Sequence, residues 1–288
     1  MAVAYLNPGA TSLAAANWSD TTGFANSATL VIKSGSQDIQ SDLAYTSVTS
    51  LNYLDIYDGF SGYIGGSGGS LTVDADGTDT VTGTPGPNVP ISRIRYMASG
   101  GHFYYNSNNG CNNFIQASTG KAYLTGGAFK RIILESGQLN IASAVTELSS
   151  PVWYFAGGSA VLESHASNTF TTINATGGSH VIKRAGTTLN VTGGSVTLDA
   201  SSGSSLYDVT TVNVYGGVLY LKSFGTITNL NIYSGTVDAS RLSACTGATN
   251  TLVGPRSNLV YHPLLSLGTK TVLGSGGGLW GGGNAIPL

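Results

Sequence analysis

Apolar and polar residues alternate along much of this chain, and pairs of small residues interrupt the alternation. The stretch TVNVYGGVLYLK, which begins at Thr211, shows the pattern clearly: apolar residues fall on every second position on both sides of a Gly-Gly step. Alternation with a period of two predicts a half-buried β-strand. Glycine supplies the positive φ that a sharp corner requires. The stretch therefore predicts two strands joined by a corner.

The same pattern recurs along the chain. Four aligned copies, TINATGGSHVIK, TLNVTGGSVTLD, TVNVYGGVLYLK and NLNIYSGTVDAS, start at Thr172, Thr188, Thr211 and Asn229, which are 16, 23 and 18 residues apart. Looser copies start at Tyr53, Ala122 and Val152. A degenerate period of about twenty residues predicts a solenoid, in which each repeat is one coil stacked on the last.

We therefore predict an all-β fold, a β-solenoid of the right-handed parallel β-helix type. An antiparallel β-sandwich is the alternative, because Gly-Gly corners also close hairpins and the spacing of the copies is irregular. Three ranges follow from where the repeat is recognisable. We expect an N-terminal cap or attachment segment at 1–36, the solenoid at 37–250, and a C-terminal cap with a glycine-rich arm at 251–288.

The alternation also predicts which side chains point into the coil. The inward residues of the last three copies are Leu189, Val191, Val196, Leu198, Val212, Val214, Leu219, Leu221, Leu230, Ile232, Val237 and Ala239. In the first copy His180 takes an inward position. We expect a local bulge there that turns Val181 inward instead.

Two rows of outward residues stand at equal places in successive copies. The first row is Asn174, Asn190, Asn213 and Asn231, and coils about 4.8 Å apart would let these amides form a hydrogen-bonded ladder. We favour a structural ladder over a polar binding strip. The second row is Tyr57, Tyr215 and Tyr233, just before the corner. Exposed tyrosines are enriched at protein interfaces, so this row predicts a homotrimer contact.

The ends of the chain carry large apolar residues outside the repeat. Trp18 stands in the N-terminal segment, and seven glycines in residues 274–288 surround Leu279, Trp280 and Ile286. Glycine disfavours a fixed conformation, whereas large apolar side chains favour burial. We expect the C-terminal segment to dock on a sister subunit or on another protein. The alternative is that it folds back and caps the last coil.

Composition and charge narrow the possible partners. Only 9% of residues are charged and the net charge is −2, with the basic residues scattered. A nucleic-acid-binding protein usually shows a basic stripe, so no nucleic-acid partner is expected. No stretch approaches the roughly 18 apolar residues of a membrane span, and the N-terminus lacks a secretion signal. We expect two buried cysteines and synthesis in a cytoplasm, with no membrane partner.

Candidate chemistry is sparse. Glycoside hydrolysis needs two carboxylates across a cleft, and the chain has 14 acidic residues with one dense cluster, Asp74, Asp76 and Asp79. This cluster is a weak calcium candidate, weighed against a solvated Asp-Gly turn. The four histidines show no metal spacing. We therefore predict no catalytic residue, no cofactor and no enzymatic activity.

The segment NWSD, followed by GFANSATLVI and then a repeat rich in Gly, Thr and Asn, resembles bacteriophage virion proteins. In that group a lead-in containing tryptophan precedes a β-helix, as in capsid decoration (cement) proteins, head spikes and tailspikes. The resemblance implies a structural virion protein made in the host cytoplasm. It implies a trimer that sits on the major capsid protein at the capsid surface and stabilises the head. The alternatives are a tail fibre or spike that binds a receptor, a polysaccharide-degrading β-helix enzyme, or a surface adhesin.

Overall fold

The computed structural model describes residues 3–5, 7, 29–35, 51–60, 91–98, 102–105, 110–148, 151–273, 278–281 and 284–285. All regular structure in these ranges is β-strand. The chain divides into two compact units, residues 1–150 and 151–288. Each unit is built as a parallel β-solenoid.

The first unit contains eight strands in its described residues. They are β1 (Val3–Tyr5), β2 (Thr29–Gly35), β3 (Leu51–Phe60), β4 (Ile91–Tyr96), β5 (His102–Tyr105), β6 (Gly110–Leu124), β7 (Ala128–Ile141) and β8 (Thr146–Glu147). Strands β1, β2, β3, β4, β6 and β7 pair in parallel in that order and form stack 1. Strand β5 and the second halves of β6 and β7 form stack 2. Because β6 and β7 take part in both stacks, each one turns a corner of the coil.

The second unit contains fourteen strands in its described residues. They are β9 (Trp153–Phe155), β10 (Ser159–Leu162), β11 (Phe170–Ala175), β12 (Ser179–Ile182), β13 (Gly186–Val191), β14 (Ser195–Asp199), β15 (Ser201–Ser202), β16 (Ser205–Leu206), β17 (Val209–Val214), β18 (Val218–Asp238), β19 (Ala244–Tyr261), β20 (Leu267–Val272), β21 (Gly278–Gly281) and β22 (Asn284–Ala285). Stack 3 runs through β9, β11, β13, β17, β18, β19 and β20. Stack 4 runs through β10, β12, β14, β18, β19 and β21.

The long strands show how one coil follows the next. Strand β18 has 21 residues, and its first part belongs to stack 4 while 227–232 belong to stack 3. The Thr236 N–H then donates to the carbonyl of Gly217, the residue just before the strand, at 3.0 Å, so the chain returns after one full coil to the point where β18 begins. The parallel solenoid predicted from the repeat is thereby confirmed. Its handedness stays a prediction.

The strand register reproduces the alignment of the copies. Thr188 pairs with Thr172 below it and with Thr211 above it, and Thr211 pairs with Asn229. The alignment of the looser copy that starts at Val152 is also confirmed, since Trp153 pairs with Ile173. Repeat spacing in the sequence is therefore the coil length in the structure.

Two of the looser copies are not equivalent to each other. Tyr53 pairs with Arg93 in stack 1, whereas Ala122 pairs with Phe103 and Leu139 in stack 2. The alignment of these two copies on their glycines is wrong. The first unit has corners in more than one place of its coil, and glycine occurs at several of them.

The antiparallel sandwich is overturned by the register. Among the described residues, antiparallel pairing occurs in two short pairs, β15 with β16 and β21 with β22. The reason lies in the glycine pairs. In Gly193–Gly194 and Gly216–Gly217 the second glycine has a positive φ, of 64° and 67°, and the first is not among the positive-φ glycines. The common two-residue hairpin turns need positive φ at the first position or at both, so this corner turns the chain into the next stack instead of reversing it.

The core lies between the stacks. Every inward residue predicted in the second unit, from Leu189 to Ala239, is fully buried. In the first unit the core is aromatic, with Phe103 stacked between Tyr96 and Phe114 at ring-centroid distances of 5.6 and 6.1 Å. Apolar burial on alternate positions is what holds the coils together.

The predicted bulge beside His180 is wrong. Strand β12 pairs with β14 without any register shift, so His180 pairs with Val196 and Val181 with Thr197. No bulge turns Val181 inward, and His180 itself is the buried residue, 1% exposed. Hydrogen bonds explain why a polar ring is tolerated there. Its Nδ1 accepts the Ala160 N–H at 3.2 Å and its Nε2 donates to the Gly177 carbonyl at 2.5 Å.

Parallel pairing reaches into all three predicted ranges of the chain. Within 1–36, β2 pairs with β3, and within 251–288, β20 and β21 pair with β19. The boundaries at 36 and 250 themselves stay predictions.

Candidate functional site on the outer face of the second unit

The predicted asparagine row forms a continuous ladder. The Nδ2 of Asn190, Asn213 and Asn231 each donates to Oδ1 of the asparagine one coil below, at 2.8, 2.8 and 2.9 Å. Parallel, in-register pairing places equal positions of neighbouring coils one above the other, which makes the chain of amide bonds possible. Asn190 and Asn213 each donate one bond and accept one within the row. This is the structural ladder that the sequence predicts.

Tyr215 and Tyr233 form a stacked pair just before the glycine corner. Their ring centroids lie 4.8 Å apart with planes 5° from parallel. They remain 48% and 39% exposed. Thr192 holds the equivalent position one coil below, where its Oγ1 donates to the Ala175 carbonyl at 3.3 Å. Two adjacent coils thus present one flat aromatic surface to the outside.

Tyr57 lies in the other unit. It belongs to β3 and is 40% exposed, so it is an outward residue as predicted. Whether these tyrosines form an interface stays a prediction.

A cavity of about 320 Å³ opens on stack 4, along the first part of β18. Its lining residues are Thr197, Tyr220, Leu221, Lys222 and Arg241. Tyr220 pairs with Thr197 across neighbouring coils, and Arg241 comes from the turn that follows β18. Ser243 fastens that turn to the strand, because its N–H and Oγ both donate to the Lys222 carbonyl, at 2.8 and 2.9 Å. The cavity is therefore a built feature of two successive coils.

Asp199 forms an ion pair with one of the cavity residues, Lys222. Its Oδ2 accepts a bond from Lys222 Nζ at 2.9 Å, and its Oδ1 accepts the Ser223 hydroxyl. The Ser201 and Ser223 hydroxyls lie 2.8 Å apart. A register shift between β14 and β18 makes Asp199 pair with Ser223, which leaves Lys222 as an extra residue on its strand. Such a bulge re-aims side chains, and here Lys222 is exposed while Ser223 is buried.

Lys222 and Asp199 belong to a row of alternating charge. Glu163, Lys183, Asp199 and Lys222 each end their copy of the repeat. Lys183 Nζ lies 3.3 Å from Glu163 Oε2, which repeats the pairing of Lys222 with Asp199. This row and the cavity residues Tyr220 and Arg241 are not among the residues predicted from the sequence. The twelfth position of the aligned copies carried a usable signal, since its charges alternate in sign from copy to copy.

Other ionisable groups lie in the interior. Burial lowers the pKa of His180 below its ordinary value of 6.5, opposed by the bond to the Gly177 carbonyl. Arg184 is fully buried, with Nε donating to the Glu163 carbonyl at 3.1 Å.

Burial raises the pKa of Cys111 to about 12. Cys245 is only partly buried, contrary to the prediction, and its thiol donates to the Leu264 carbonyl at 3.2 Å.

Several predicted site residues lie outside the described residues. They are Trp18, Asp74, Asp76, Asp79 and Ile286. Leu279 and Trp280 belong to β21, where they pair in parallel with Leu259 and Val260 of β19. Within the described part of the chain, no three His, Cys, Asp or Glu side chains lie together as a metal site would require.

Comparison of the chain with protein-family models, curated proteins and solved structures finds no match. The strand register itself therefore defines the class of protein, an all-β parallel β-solenoid. In the parts of the chain that the structure describes, no helix is long and apolar enough to span a membrane.

Proposed function

We propose that this protein is a non-enzymatic structural protein of a bacteriophage virion, a decoration protein that binds the capsid surface as a homotrimer. The observation that carries the proposal is the exposed, stacked pair Tyr215 and Tyr233. Tyrosine supplies a large, rigid contact area with a polar tip, and it is enriched at protein interfaces. The virion context comes from the resemblance of the N-terminal segment and repeat to phage proteins.

The architecture around the tyrosines suits a structural role. The asparagine ladder links four successive coils by side-chain hydrogen bonds, which restrain the flank. A stiff flank loses little conformational freedom on association, which favours assembly. A second copy of the chain is the partner that best fits a symmetric oligomer, because closed homo-oligomers are the commonest assemblies.

The test of self-association is sedimentation of the purified full chain and of the double variant Tyr215→Ser/Tyr233→Ser. We expect a species of three times the 29.4 kDa chain mass for the native protein and a monomer for the variant. Tyr154→Ser is the matched control, since Tyr154 is also exposed on the second unit and should leave the trimer intact. A monomeric native protein at micromolar concentration contradicts the trimer.

The test of location is direct. Purified phage particles carrying a labelled copy of this protein should show density on the capsid shell in cryo-electron microscopy. Label at the tail, or absence of the protein from particles, contradicts the decoration role. Adding the protein to bare capsids should raise their resistance to heat, and the tyrosine double variant should do so less well.

A further inference from the structure

The cavity on stack 4 has features that the structural role does not use. Its volume of about 320 Å³ lies at the lower end of the range of small-molecule sites, which is about 300–1,000 Å³. One wall is the outer face of β18, where Tyr220 and Lys222 alternate outward. The other is the turn that carries Arg241. Both walls are held by backbone bonds, such as that from Ser243 N–H to the Lys222 carbonyl.

The charges around the cavity leave one cation available. Lys222 is neutralised by Asp199 at 2.9 Å, and Asp199 is further engaged by the Ser223 hydroxyl. Arg241 is exposed and has no hydrogen bond or ion pair within the described residues. Asp238, the last residue of β18, accepts the Ser240 N–H at 2.8 Å and does not line the cavity. A guanidinium without a partner favours a planar anion, which it binds through two parallel hydrogen bonds.

The aromatic wall adds a second requirement. Tyr220 is 38% exposed, and it lines the same cavity as Arg241. A flat ring offers an apolar face to C–H groups and a hydroxyl to polar ones. Thr197 and Lys222 add hydrogen-bond donors beside it. A ligand that satisfies all of these groups has an apolar face, several hydroxyls and one carboxylate.

We infer that this cavity binds one acidic sugar unit, a hexuronic acid residue of a polysaccharide. Arg241 takes the carboxylate, the Tyr220 ring stacks on the C–H face, and Thr197 with Lys222 hydrogen-bonds the hydroxyls. The inference does not depend on the decoration role, since the cavity involves neither Tyr215 nor Tyr233.

The experiment uses the full chain and two probes of equal length, trigalacturonic acid and the neutral maltotriose. Binding is followed by ligand-observed saturation-transfer NMR and by calorimetric titration. We expect trigalacturonic acid to bind and maltotriose to bind at least about tenfold more weakly, because the charge-assisted bonds are lost. Raising the salt concentration should weaken the binding of trigalacturonic acid and leave the binding of maltotriose unchanged.

Variants locate the site. Arg241→Gln and Tyr220→Ser should each lower the affinity for trigalacturonic acid by about tenfold or more. The matched controls are Arg256→Gln and Tyr154→Ser, an exposed arginine and tyrosine of the same unit that do not line the cavity. These should change affinity less than about twofold. Melting curves of all four variants establish that they fold.

Three results overturn the inference. They are no binding of trigalacturonic acid up to about 10 mM, equal binding of both sugars, and equal loss in the Arg241 and Arg256 variants. The trimer test above is independent of each of them, so a failure of one proposal is distinguishable from a failure of the other.

Discussion

The side-chain amide of Asn213 donates to Oδ1 of Asn190, 23 residues earlier in the chain, at 2.8 Å. Asn213 also accepts a bond from Asn231 at 2.9 Å, so it stands in the middle of the ladder. Asn174, at the bottom, takes part in one such bond, from Asn190. The position of each asparagine in the ladder thus sets how many bonds its removal breaks.

Replacing Asn213 with Ala should destabilise the protein by about 2 kcal/mol, and replacing Asn174 with Ala by about 1 kcal/mol, at roughly 1 kcal/mol per net hydrogen bond. Urea unfolding followed by circular dichroism measures the difference. Equal losses for the two variants would show that the ladder bonds contribute nothing measurable beyond the individual side chains.

Burial of the inward leucines predicts a larger effect. Leu221→Ala removes a fully buried side chain and should cost about 2–5 kcal/mol through lost transfer energy and the cavity left behind. Thr228→Ala is the control, because Thr228 is exposed on the same strand and should change stability by less than about 0.5 kcal/mol. Similar unfolding midpoints for both variants would contradict the inward and outward assignment.

His180 predicts a dependence on pH. Its pKa in the folded chain lies below 6.5 because of burial, so the unfolded chain takes up the proton first as the pH falls. Stability should therefore be level above about pH 6.5 and fall below it, by at most about 1.4 kcal/mol per pH unit for this one group. Unfolding free energies measured between pH 5 and pH 8 check the slope.

The matching variant is His180→Val, because the paired residue in the next coil is Val196. It should flatten the acid slope while lowering stability at pH 7.5 by about 1–3 kcal/mol, since the Ala160 N–H and the Gly177 carbonyl lose their partner. His102, whose pKa is lowered by burial and then by Lys121, contributes a slope of the same sign. His102→Gln separates the two groups, and an unchanged slope in His180→Val contradicts the prediction.

The glycine corners predict a contrast between two positions with similar backbone. Gly217 and Gly203 have φ of +67° and +57°. A Cβ at Gly217 would lie 2.5 Å from the Gly194 carbonyl oxygen, whereas a Cβ at Gly203 would meet nothing within 4 Å. Gly203→Ala should cost about 1 kcal/mol from the left-handed conformation alone. Gly217→Ala should destabilise the protein clearly more than Gly203→Ala, because the stacked coils must move apart to make room for the Cβ. Thermal melts of both variants measure the contrast.

The sequence by itself determined the coil, its length and its two faces. Alternation from Leu189 to Leu198 places one set of side chains inward, and aligned copies place Thr188 over Thr172. Both inferences are local, because side-chain direction follows from the period of a strand. The asparagine ladder was predictable for the same reason. It needs only equal positions in coils that stack in register.

Only the tertiary structure decided the remaining features. A Gly-Gly step permits a hairpin or a coil corner. In the pair Gly193–Gly194 only the second glycine has a positive φ, and this selects the corner. His180 stays inward because backbone groups of the preceding coil and corner complete its hydrogen bonds. Arg241 lines the same cavity as Lys222, 19 residues earlier, because one coil of the solenoid brings the turn over the strand. These features depend on which atoms meet between coils, and an alternating pattern along one strand carries no record of that.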